Sequence, residues 1–74
     1  MKNSSHKNNA YSVLIKYDPV DMIYVASIPE LQGCMAHGDS QKKAFDSVLA
    51  VRDMWLDTAR EEGIEIPEPD YVRL

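Results

Sequence analysis

The stretch Tyr24–Ser40, YVASIPELQGCMAHGDS, decides the fold. Tyr24 to Ile28 is a short apolar run of strand character. Pro29 then fixes φ, and Gly33 permits a positive one, so the chain can reverse across Pro29-Glu30-Leu31-Gln32-Gly33. A connection of five residues containing Gly, set between two short apolar runs, predicts a hairpin whose second arm is Cys34–Gly38. At Gly38-Asp39-Ser40 the hydrophobic period changes from that of a strand to that of a helix, with Ser40 as its N-cap.

Toward the N-terminus, Tyr11 to Tyr17 supplies one more strand. Tyr11, Val13, Ile15 and Tyr17 alternate with Ser12, Leu14 and Lys16, as in a half-buried strand. Asp18-Pro19-Val20-Asp21 breaks it with turn chemistry, and Met22–Ile28 follows as the next strand. That strand has no polar face: Ile23, Val25 and Ser27 lie on one side, Tyr24, Ala26 and Ile28 on the other. Val13, Ile15, Ala26, Ile28, Cys34 and Ala36 are assigned to the helix-facing side. Leu14, Val25 and Met35 then share the other side, where three large apolar groups suggest a contact surface. Scattered exposed apolar residues are the competing explanation.

Toward the C-terminus, the helix runs from Ser40 to about Glu62, with Gly63 just past its end. Ala44, Val48, Val51, Trp55 and Ala59 form its apolar stripe, with Phe45, Leu49 and Leu56 beside them. Trp55, the largest, is expected to anchor the core. The end charges oppose the macrodipole, with Lys42 and Lys43 in the first turn and Glu61 and Glu62 in the last, so packing must hold this helix. Arg52 falls within the buried arc, where it would snorkel or pair with a carboxylate. Ile64-Glu65-Ile66 alternates and could add a short edge strand that Pro67 would end. The expected layout is a disordered tail over 1–10, one domain over 11–69 and a short tail over 70–74.

Composition sets bounds on function. A chain of 74 residues makes one small domain whose core is marginal alone, so oligomerisation is expected. The formal charge is −4, and the longest basic run is Lys42-Lys43, which leaves no footprint for direct nucleic-acid binding. A single cysteine allows no internal disulfide, and the polar N-terminus has no signal-peptide core. No apolar run is long enough to span a membrane, so the cytoplasm is the expected location. No phosphate loop, zinc-ligand spacing or dinucleotide signature is present, and no cofactor is expected. Cys34 and His37 sit three apart on a strand and face opposite ways, which argues against a catalytic pair.

Ile28-Pro29-Glu30-Leu31-Gln32-Gly33-Cys34, followed by Gly38-Asp39-Ser40 opening a helix, resembles the HicB-like antitoxin family. Trp55-Leu56 late in the helix, and Gly63, Ile66, Pro67 and Pro69 after it, also match, so the resemblance spans residues 11–69. It implies a partial RNase H-like α+β fold: three antiparallel strands on one long helix, in the order β-β-β-α-(β). It also implies the antitoxin of a type II toxin–antitoxin pair, neutralising a small, basic, mRNA-cleaving HicA-type toxin by binding it. The alternative is a solitary HicB-like oligomeric interaction domain. RNase H chemistry needs carboxylates converging on metal ions, beginning with one inside the first strand, and that strand offers none. No enzymatic activity is therefore expected. Many HicB proteins carry a C-terminal DNA-binding unit, and this sequence stops at Leu74, so direct DNA binding is not expected. A homodimer or tetramer is expected, either through Leu14, Val25 and Met35 or through strand edges at Ile64 and Ile66.

Overall fold

A computed structural model describes residues 10–72. Three strands and a helix follow in order: β1 (Leu14–Asp18), β2 (Ile23–Ser27), β3 (Met35–Gly38) and α1 (Gln41–Glu62). The sheet is antiparallel, with β2 central, and the helix packs on one face. This is the expected β-β-β-α arrangement of an α+β fold.

The register explains which side chains meet the helix. Ile15 pairs with Ala26, and Ala26 with Ala36, so these three form one row across the helix-facing side. Tyr17 and Tyr24 form the next row, with ring centroids 5.1 Å apart and planes at 61°, an edge-to-face contact. Opposite Tyr24 lies Gly38, which has no side chain. A Cβ built there would come within 2.5 Å of the Ala44 nitrogen and 2.8 Å of the Lys43 carbonyl carbon. The first turn of α1 therefore lies directly on the end of β3, and only glycine leaves room.

The helix ends are set by capping. Ser40 is extended (φ −137°, ψ 165°) and its hydroxyl accepts from the Lys43 amide. At the other end Gly63 is left-handed (φ 69°). The Ile64 amide donates to the Ala59 carbonyl at 2.8 Å and the Gly63 amide to that of Arg60 at 3.4 Å, the two bonds of a Schellman turn. That turn folds Ile64 back beside the helix.

The β2–β3 connection is two successive tight turns. Leu31 N donates to Ile28 O and Cys34 N to Leu31 O, with Gly33 at φ 78° in the second. Leu31, where they meet, drops into the core with Ile28, Cys34, Val48 and Leu56, the largest fully buried side chains. Trp55 was expected at the centre and is instead half-buried at the rim. Its indole nitrogen donates to the Gln32 carbonyl at 2.9 Å, which keeps the ring within reach of the surface. Arg52, half-buried on the arc, pairs with Asp53 at 3.1 Å.

The possible fourth strand does not form, because residues 64–70 have other work. Ile66 packs on the core, Pro69 is buried, and the Tyr11 hydroxyl donates to the Pro67 carbonyl. Tyr11 itself precedes β1 and is buried. Of the N-terminal tail, Ala10 alone is described and is helical, while 1–9 and 73–74 lie outside the described residues.

Gly38→Ala should destabilise the domain by roughly 1–3 kcal/mol, since the atoms in the way are backbone. A urea-melting midpoint equal to that of the wild type would show that α1 does not rest on β3 as described.

Candidate functional site

The sheet face turned away from α1 carries two rows. Leu14, Ser27 and Met35 form one, and Lys16, Val25 and His37 the other. Leu14 and Met35 are 46% and 56% exposed, whereas Val25 is half-buried between Lys16 and His37. The three side chains singled out in the sequence thus share one face, as two apolar groups flanking Ser27 with Val25 in the adjoining row. Ile64 and Ile66, expected to pair across chains, belong to no strand. Ile66 supports the core, and Ile64, half exposed, lies against the helix.

Ile64 takes part in a second surface. With Val51, Met54, Trp55, Thr58 and Ala59 it lines an open groove of about 330 Å³, almost wholly apolar. Five of these residues follow the helical spacing 51, 54, 55, 58, 59, so one flank of α1 forms the wall. The Schellman turn supplies the other wall by placing Ile64. Met54 is 65% exposed.

Charge is distributed unevenly along the chain, and its acidic stretch includes the end of the helix that walls this groove. Residues 53–70 carry seven acidic side chains and one basic one, whereas the remainder of the chain carries five acids and seven bases. Asp53, Asp57, Glu61, Glu62 and Glu65 are all exposed. Arg60 is held by Asp57 at 3.0 Å. The negative end of the helix dipole adds to the same pole. The overall −4 conceals this asymmetry, which a windowed charge count along the sequence reveals.

Three of the other five acids, Asp18, Glu30 and Asp46, have structural partners. The Asp18 carboxylate accepts from the amides of Val20 at 2.9 Å and Asp21 at 3.4 Å, closing the β1–β2 turn. Lys42 and Asp46 form an exposed pair at 2.7 Å. Glu30 accepts from the Ser12 amide, the Ser12 hydroxyl at 2.9 Å and the Asp70 amide at 2.9 Å. Burial alone would push the Glu30 carboxyl up, but the amides of Asp70 and Ser12 and the Ser12 hydroxyl outweigh it and hold it below its ordinary 4.5. Cys34 lies in the core, where burial raises its thiol pKa despite the opposing charge of Arg52. His37 is exposed, and its register places it on the opposite face of the sheet from the core. Among the described residues no three His, Cys, Asp or Glu side chains converge as metal ligands would, and no helix is long and apolar enough to cross a membrane.

Over 44 residues the chain is 36% identical to the UPF0150 protein ssl0259 of Synechocystis sp., a match that covers 60% of each chain. The chain therefore spans about three-fifths of that relative's length, and the relative's name carries no activity. No family model matches the chain. No solved structure matches it either.

Glu30→Gln should cost about 1–2 kcal/mol at neutral pH, discounted for partial exposure. Because the folded carboxyl titrates below its ordinary 4.5, its contribution is complete above that value and is lost as pH falls through the folded pKa. The stability gap between wild type and variant should therefore narrow on acidification below about 4.5, followed by thermal melting. A gap that stays constant down to pH 3 would refute the clamp.

Proposed function

We propose that this chain is the antitoxin of a HicAB-like type II toxin–antitoxin pair, acting in the cytoplasm by binding a small basic mRNA-cleaving toxin. The observation that supports the reading is the acidic stretch 53–70, which includes the end of the helix whose flank forms the apolar groove. A nuclease that grips RNA must present a cationic surface to the phosphates. A domain with an excess of six negative charges over residues 53–70 can occupy that surface and exclude the substrate. The motif that supports the resemblance does structural work here. Glu30 ties Ser12 to Asp70, Leu31 fills the core, the Gln32 carbonyl holds Trp55, and Gly38 admits the helix. Function is thereby left to the surface, with no catalysis proposed for this chain.

A second reading, a solitary oligomeric interaction domain, is favoured by the exposed Leu14 and Met35 beside Val25. Self-pairing of that face around a two-fold axis would give a dimer, and a pair of dimers a tetramer. Both readings accommodate such an assembly.

Two measurements test these readings. When a small basic RNase encoded beside this chain is mixed with it, RNA cleavage should cease near equimolar ratio. Full cleavage in large molar excess of this protein would discard the antitoxin reading. Sedimentation equilibrium should show a wild-type dimer or tetramer at tens of micromolar that Val25→Glu dissociates. A monomeric wild type, or a Val25→Glu variant that stays assembled, would remove the sheet face as the interface.

A further inference from the structure

We infer that the groove between α1 and Ile64 is the docking site for a basic amphipathic segment of a partner protein. The segment seats an apolar side chain between Met54 and Ile64 and sets its lysines or arginines against the acidic rim. This deepens the antitoxin reading, on which it rests for the partner's biological role though not for the binding chemistry.

Three observations converge on this occupant. Met54 and Ile64 are 65% and 50% exposed, so an apolar guest would remove both from water. Asp57, Glu61, Glu62 and Glu65 are exposed on or just beyond the last two turns of the same helix. Glu61, Glu62 and Glu65 form no ion pair among the described residues, and the Asp57–Arg60 pair is exposed and readily exchanged. The helix C-terminus adds partial negative charge at the same place.

The same features exclude other occupants. A second copy would bring an equal acidic excess to meet this one, and the repulsion opposes a symmetric contact. Anionic lipid headgroups and nucleic-acid phosphates are repelled for the same reason. A basic helix with an apolar stripe satisfies both the groove and its rim. Trp55, the single tryptophan, lines the groove and is anchored through Gln32, so its emission reports occupancy.

The test uses the full chain and three synthetic helical peptides of equal length. One has leucines on one stripe and lysines elsewhere, the second replaces the lysines by glutamates, and the third replaces the leucines by serines. The leucine–lysine peptide should bind, shift Trp55 emission and weaken about tenfold between low and high salt, whereas the other two should not bind. Met54→Glu and the pair Asp57→Lys with Glu61→Lys should each weaken binding about tenfold or more. Both alter exposed positions, and circular-dichroism melting verifies that the fold is kept. Val25→Glu should bind the peptide like wild type.

No binding, equal binding of the serine–lysine peptide, or binding unchanged in the groove variants would overturn the assignment. So would peptide binding lost in Val25→Glu, or a wild-type oligomer that Met54→Glu dissociates, because the occupant would then sit elsewhere or be a second copy. Neutralisation of the basic RNase that is insensitive to Met54→Glu would sink the groove and keep the antitoxin reading. Peptide binding without neutralisation would do the reverse.

Discussion

The absence of a side chain at Gly38 is the constraint on which the rest of this small domain depends. β3 ends there, α1 begins three residues later, and backbone atoms of Lys43 and Ala44 occupy the space a Cβ would need. With the first turn seated on the strand, the helix axis has little freedom. Its buried positions Ala44, Val48 and Leu56 then join Ala26, Ile28, Leu31 and Cys34 in one core cluster, against which Ile15 and Ala36 pack. The two alanines of the sheet row and the two of the helix allow close approach, while Val48, Leu56, Ile28 and Leu31 fill the volume. Packing of this kind has to hold the helix, since Lys42 and Lys43 in its first turn oppose the dipole and Ser40 offsets only part of that cost.

A domain with so few buried side chains needs ties beyond its core, and the β2–β3 connection supplies them. Glu30 reaches the arm before β1 and the segment after α1 through one carboxylate. Gln32 offers its carbonyl to Trp55, and Leu31 between them enters the core. One loop thus joins both ends of the described chain, the helix and the sheet. Its acidity is structural, in contrast to the exposed acids of residues 53–65, which make few internal bonds and remain open to a partner.

Much of this was legible in the sequence because local rules and global packing agree. The alternation in β1 and β2, the Pro29–Gly33 reversal, the Ser40 cap and the Gly63 stop each follow from one residue's conformational preference. Three features were not legible. Trp55 lies on the apolar stripe, but its indole N–H needs an acceptor, and the one available is at the rim. Ile64-Glu65-Ile66 alternates like a strand, yet the Schellman turn and the bond from Tyr11 to Pro67 commit it to packing, contacts that no pattern over a few residues can reveal. The groove needed both the helix flank and the returning Ile64, and these adjoin only once the turn is made. The grouping of Leu14, Val25 and Met35 on one face needed only strand parity and was read from it.

The position of Cys34 gives the molecule an internal reporter of its own opening. It is the sole thiol, 2% exposed, wedged among Ile28, Leu31 and Leu56, with its ionisation disfavoured by burial. An alkylating or oxidising reagent has little access to it while the hairpin and helix remain closed. Its modification rate therefore counts excursions in which β3 and α1 separate. Those same excursions expose backbone to proteases, so one chemical label on the native sequence reads the lifetime of this protein against degradation.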